Sequence, residues 1–280
     1  MKLVCIFISG YPRSGTTMVL NDLNRLFDLK LLLEPNILSG IGKSKEYVSI
    51  ADYKCLYEEQ LLRVAGTVTS EEINHAQFIG DKSLHNTFYL NRLSTNGNNR
   101  IYGVNVIRNP VDCVNSNLIK RGLILKNSSR LGSVLNFSLK WVKWNMKMRH
   151  EAKKSNFDII QLKYEDYSNL NDDEKISYWK NFIYELNISN AKNANISLTE
   201  KELYLMGADK YHVNLTKDRN QINTKEILTI DEKNVIESLC AQEASKYGYS
   251  FQPKLSFFSL IALVGIKRYL YHWRSIRKKF

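Results

Sequence analysis

The sequence predicts an α/β fold, a parallel sheet flanked by helices on both faces, in a single domain. Three observations predict it. Short apolar runs alternate with stretches of helical periodicity. Those runs are continuously apolar, as in strands buried on both faces. A Gly/Pro turn at Gly10-Tyr11-Pro12 joins the first run to the first helical stretch. A chain of 280 residues, 44% hydrophobic and 24% charged, can bury a substantial core, which excludes a disordered polyampholyte or a fibre.

The elements follow in order. Leu3 to Ser9 reads as a buried parallel strand. A helix is expected from Thr16 to Phe27, because Val19, Leu20, Leu23, Leu26 and Phe27 share one face. Leu29 to Leu33 reads as a second strand stopped by Glu34-Pro35, and Phe78 to Gly80 as a weak third. Ile101 to Ile107 is a strong strand closed by Arg108-Asn109-Pro110, and Pro110 and Asp112 suit the first turn of a helix running to Lys120. Leu131 to Lys153 is helical, Phe157 to Leu162 a strand, and Asp231 to Tyr247 a helix. Ser39 to Gln77 and Leu118 to Leu135 carry the weakest signals. No repeat or linker interrupts residues 1–254, so these read as one domain, with 255–280 as a separate apolar and basic tail.

Forty Lys and Arg against 28 Asp and Glu give a formal charge of +12, which favours phosphate, sulfate, nucleic-acid or acidic-membrane partners without choosing among them. Cys5, Cys55, Cys113 and Cys240 are scattered singly, so neither a zinc site nor a disulfide scaffold is expected, and a reducing compartment is the default. The apolar run Leu3 to Ile8 is too short for a signal peptide or an anchor, so a cytoplasmic location is expected.

Gly10-Tyr11-Pro12-Arg13-Ser14-Gly15-Thr16-Thr17 lies between a strand and a helix, where backbone N–H groups and the helix dipole make an anion site. The glycine spacing is that of a nucleotide P-loop, but Thr16 stands where the phosphate-binding lysine belongs, and the cation has moved to Arg13. This stretch resembles the 5′-phosphosulfate loop of the sulfotransferases that use 3′-phosphoadenosine 5′-phosphosulfate (PAPS), G-x-P-[KR]-S-G-[TS]-[TS]. Val106 to Asp112, with Ser116 on the following helix, resembles the same family's 3′-phosphate signature. An arginine at a strand end and a hydroxyl two helical turns along are able to face one phosphate. The resemblance implies a P-loop-type sulfotransferase domain over 1–254, with PAPS held by Pro12, Arg13, Ser14, Gly15, Thr16, Thr17, Arg108 and Ser116.

Leu162-Lys163-Tyr164-Glu165-Asp166 resembles the family's Y-E-D segment, whose tyrosine lies against the adenine. Tyr211-His212 followed by Arg219 is similar to a late H-x(6)-R segment that returns a cation to the 3′-phosphate. Leu215-Thr216 replaces the usual Gly-Asn there, and Lys217 is an alternative to Arg219.

Sulfuryl transfer demands an in-line oxygen nucleophile, a base for its proton, and cations over the moving group and the leaving phosphate. Arg13 supplies one cation. Glu34, at the sheet edge that carries the loop, is placed to accept a hydroxyl proton, and it resembles the glutamate proposed as base in tyrosylprotein and carbohydrate sulfotransferases. Gly80-Asp81-Lys82-Ser83 resembles the family's G-[DE]-K-[ST]-P segment, whose lysine approaches sulfate and acceptor, so Lys82 is the second cation. His85 is the second-ranked base. His75, His150 and His272 have no companions at ligand spacing, and no metal is expected. Trp141 and Trp144, one turn apart, read as core.

The acceptor expected is a hydroxyl of a carbohydrate, lipid or other small molecule, with no nucleic-acid partner. Two rival classes are weighed against it. A P-loop kinase of small molecules is disfavoured by Thr16, and a basic non-catalytic nucleic-acid or membrane binder by charge gathered in ordered motifs. Leu255 to Ile266 is too short to span a bilayer. With Lys267, Arg268, Arg274, Arg277, Lys278 and Lys279 after it, the segment reads either as a peripheral contact with an anionic membrane or as a docked C-terminal helix.

Overall fold

The computed structural model describes residues 3–27, 29–44, 47–64, 77–94, 99–123, 128–186 and 227–252, with the single positions 255, 259, 262 and 265. They fall into two compact units, drawn from Met1–Ile107 with Lys147–Asn223 and from Arg108–Met146 with Thr224–Phe280. The strands are β1 (Val4–Gly10), β2 (Leu32–Leu33), β3 (Val48–Ser49), β4 (Phe78–Lys82), β5 (Leu93–Ser94), β6 (Arg100–Ile107) and β7 (Asp158–Lys163).

The first unit is organised by a five-stranded sheet of order β2-β4-β1-β6-β7 among the described residues, parallel at every pairing. Strand β1 lies at its centre because all seven of its residues are buried, the outcome expected of a run with no charge on either face. Its alternate side chains enter two cores. Val4, Ile6 and Ile8 pack with Val19, Leu23 and Phe27 of α1 (Thr16–Phe27), while Cys5 and Phe7 pack with Ile37 and Leu38 of α2 (Ile37–Ser44) and Tyr53, Tyr57 and Leu61 of α3 (Ile50–Val64). Helices thus cover both faces, as the apolar runs require. Strands β3 and β5 pair separately.

Strand β2 is shorter than Leu29 to Leu33. The Asn24 side chain donates to the Leu31 carbonyl and accepts from the Leu31 amide, both at 2.9 Å, and Tyr57 donates to the Lys30 carbonyl at 2.7 Å. Side chains have taken the backbone groups that a longer ladder would use. Helices α2 and α3 arise in the stretch with weak sequence signal. Tyr53, Tyr57 and Leu61 are spaced four apart along the buried side of α3.

Helix α4 (Pro110–Lys120) begins as its turn residues dictate: Asn109 accepts from the Val111 amide at 2.9 Å, and Pro110 fills the first turn. Helix α5 (Ser128–Lys154) is followed by β7, a short helix α6 (Tyr164–Ser168) and α7 (Asp172–Phe182), whose N-terminus is a reciprocal capping box between Asn171 and Glu174. In the second unit, α8 (Ile230–Ala244) has a matching box between Thr229 and Glu232 and runs into a 3-10 turn over Ser245–Tyr247. Arg130 of α5 and Glu232 of α8 form a buried ion pair at 2.9 Å. Trp141 is fully buried in this unit. Among the described residues no helix is long and apolar enough to cross a membrane. The tail reading falls outside the described residues apart from positions 255, 259, 262 and 265.

Candidate functional site

Strand β1 ends at Gly10, and the chain turns through five residues before α1 begins at Thr16. A Cβ at Gly10 would lie 2.4 Å from Ser14 Oγ and 2.7 Å from the Val106 carbonyl oxygen, so only glycine lets the turn close over the sheet edge. The Ser14 amide donates to the Tyr11 carbonyl at 3.0 Å. Arg13 (φ 73°) and Gly15 (φ 95°) take left-handed conformations on either side of Ser14. Such alternation gathers successive N–H groups into a concave nest, here at the positive end of a 12-residue helix. Ser14 is 1% exposed, and its hydroxyl has no hydrogen-bond partner among the described residues. A buried hydroxyl with its proton uncommitted inside a nest is able to donate to an oxyanion. Thr16 is buried there, and Pro12, Arg13 and Thr17 are half-buried.

Parallel pairing brings two further predicted residues to this edge. Lys82 ends β4 opposite Ile8 of β1 and opposite Leu33 of β2. Glu34, the residue after β2, donates its amide to the Lys82 carbonyl at 2.7 Å, and its carboxylate forms an ion pair with the Lys82 ammonium. Lys82 is 2% exposed, whereas Glu34 is open to solvent. A buried cation and a solvent-facing carboxylate are thus held as one pair at the sheet edge that carries the Gly10–Thr17 loop. One can neutralise an anionic oxygen and the other can accept a proton. His85 follows in the turn after β4, its ring 5.8 Å from that of Phe88. Burial lowers its pKa, and the charges of Lys43 and Lys147 lower it further against the opposing pull of Glu34. Both candidate bases therefore stand at this corner.

Beneath Lys82 lies a polar layer that sequence reading missed. Asp81, fully buried, accepts hydrogen bonds from Tyr53 Oη at 2.7 Å, Ser83 Oγ at 2.7 Å and Asn86 Nδ2 at 2.8 Å. Burial pushes its pKa up, and these three donors and the charge of Lys82 pull it back. Ser83 Oγ in turn accepts from the Asn36 amide at 3.1 Å. The strand order makes a second group at the same edge: Ser9 Oγ and Thr87 Oγ1 are 2.6 Å apart, and Thr87 donates to Asn105 Oδ1. Asp81 and Ser83 stand inside a quoted motif, but Tyr53 and Asn86 carry no sequence signal.

Tyr164 opens α6, and its ring lies over the loop. A Cβ on Gly15 would fall 2.2 Å from Tyr164 Cδ2. In the second unit, Arg108 is half-buried, with its carbonyl accepting from Trp141 Nε1 at 3.2 Å, and Ser116 is buried on α4. Tyr211, His212, Lys217 and Arg219 lie outside the described residues, as do His75 and His272. Among the described residues no group of three or more His, Cys, Asp or Glu is arranged to hold a metal ion.

No protein-family model and no curated protein matches the chain. Among solved structures it is similar to a sulfotransferase domain from the curacin biosynthetic pathway, at 14% identity and a TM-score of 0.48 over 90% of this chain and 99% of that one. It is also similar to a sulfotransferase from Alicyclobacillus acidocaldarius, at 14% identity and a TM-score of 0.40 over 86% of this chain and 92% of that one. A candidate kinase from Chloroflexus aurantiacus matches at 9% identity and a TM-score of 0.33 over 65% of this chain and 100% of that one. At such identities and scores these likenesses carry no functional weight, and the assignment has to come from the site's own chemistry.

Proposed function

We propose that the chain moves a sulfuryl group from PAPS to a hydroxyl of a carbohydrate, lipid or other small acceptor. The observation that carries this reading is the loop at Gly10–Thr17: a nest with left-handed Arg13 and Gly15, an orphaned Ser14 hydroxyl, and threonine where a nucleotide kinase needs lysine. PAPS, when bound, supplies the sulfuryl group and a phosphate leaving group. Arg13, Ser14, Thr16, Thr17 and the loop amides hold the 5′ end, and Pro12 and Gly15 shape the turn. Lys82 offers its ammonium to anionic oxygen, and Glu34 takes the proton of the acceptor hydroxyl, with His85 as the second candidate for that role. Arg108 and Ser116 are assigned to the 3′-phosphate, Tyr164 to the adenine, and Lys217 or Arg219 to the 3′-phosphate, on the motif resemblance alone.

A thermal-shift titration tests the reading. Adenosine 3′,5′-bisphosphate at about 100 times its Kd is expected to stabilise the fold by about 2.7 kcal/mol, a rise of a few degrees, while ATP with magnesium leaves the melting point unchanged. Arg13→Ala should cut the rise. The reverse pattern, a response to ATP alone, would assign the loop to phosphoryl transfer instead.

A further inference from the structure

Glu34 and Asn36 both hold left-handed backbone, at φ 52° and φ 55°. Residues bearing a Cβ keep such conformations only where their surroundings over-determine them, and the positions where they do so cluster at functional sites. Here the turn is pinned at each end. The Glu34 amide is bonded to the Lys82 carbonyl at 2.7 Å, and the Asn36 amide to Ser83 Oγ at 3.1 Å, while Asn36 Nδ2 reaches back to the Glu34 carbonyl at 2.9 Å.

A serine hydroxyl has one proton to donate. That of Ser83 goes to Asp81 Oδ1 at 2.7 Å, which leaves its oxygen to accept from Asn36. Asp81 is itself oriented by Tyr53 and Asn86. The relay therefore has one direction, from the Asn36 amide through Ser83 to the Asp81 carboxylate. It is buried at Asp81 and Ser83 and reaches the exposed turn that carries Glu34.

We propose that Asp81 and Ser83 are positioning residues. Through the Asn36 amide they hold the left-handed Glu34–Asn36 turn, and so set the Glu34 carboxylate on the Lys82 ammonium, where it meets the acceptor hydroxyl. This rests on the sulfuryl-transfer reading. It assigns the relay no contact with donor or acceptor, so its loss reads in turnover and not in nucleotide binding.

The test uses the full chain, radiolabelled PAPS titrated up to saturation, and a whole-cell extract as acceptor. Ser83→Ala is expected to keep the thermal response to adenosine 3′,5′-bisphosphate and a donor KM within about twofold of wild type, while turnover falls about tenfold or more. Ser83→Thr, which retains the hydroxyl, should return turnover to within about threefold of wild type. Ser83→Cys, close in size and a poor acceptor, repeats the alanine test should that chain not fold. Asn171→Ala, a destabilised chain altered only at the α7 cap, should transfer at the wild-type rate. The proposal is overturned by wild-type turnover in Ser83→Ala or Ser83→Cys, by a threonine chain no better than alanine, or by an equal loss in Asn171→Ala. A wild-type chain that ignores the bisphosphate or transfers no label sinks the sulfuryl-transfer reading itself, and the proposal with it.

Discussion

Glu34 joins two facts that sequence motifs report separately. It is a carboxylate at a strand end, and its backbone sits where a residue with a Cβ pays about 1–3 kcal/mol. The motif made the residue type legible, but the conformation was not, because nothing local in Leu33-Glu34-Pro35 demands positive φ. His85 beside it bears a testable consequence. Its folded pKa is lowered by burial first and by Lys43 and Lys147 next, so the folded chain resists the proton that the unfolded chain accepts near pH 6.5. Stability is therefore full above about pH 6.5 and declines as the pH falls through the lowered folded value. Urea midpoints of wild type and His85→Gln between pH 5 and 8 check this: the two curves should run parallel above about pH 6.5, and wild type should fall relative to the variant on acidification.

At the scale of elements, α1 serves the loop because it is held at both ends. Its N-terminus closes the Gly10–Thr17 turn, and its second half is tied to α7 by two ion pairs of different worth. Lys175, fully buried, lies 2.9 Å from Asp22, with its ammonium 5.1 Å from the Tyr167 ring centroid. Arg25 meets Asp172 through two bonds of 2.6 and 2.7 Å in the open. Removing one partner of a buried pair strands a charge, so Lys175→Ala is expected to cost about 3–5 kcal/mol. Asp172→Ala, at a solvent-screened pair, should cost about 0–1 kcal/mol. Equilibrium unfolding in urea of the two variants gives both values, and similar losses would contradict the assignment. The amphipathic pattern of α1 was readable, as were its start and stop. The partners of Asp22 and Arg25 were not, because they sit on a helix about 150 residues away in sequence that only the fold delivers.

For the whole molecule, the formal charge of +12 acts on approach more than on shape. An anionic nucleotide should be steered inward, and its association rate should fall steeply between low and physiological salt as the Debye length shortens from about 30 Å at 0.01 M to about 8 Å at 0.15 M. Stopped-flow binding of adenosine 3′,5′-bisphosphate across that range measures the slope, and a flat profile would confine the charge to local contacts. What the amino-acid order alone determined is the α/β class, the placement of the Gly10–Thr17 loop between β1 and α1, and the turn that opens α4. These are local: period, turn chemistry and spacing are written in neighbouring residues. Tertiary structure decided that Glu34 meets Lys82, 48 positions away, that Asn24 shortens β2, and that Tyr53 reaches Asp81 from the buried side of α3. Such contacts follow from the order and register of parallel strands, which are set when distant segments bury their apolar faces together, and no short stretch of sequence holds that information.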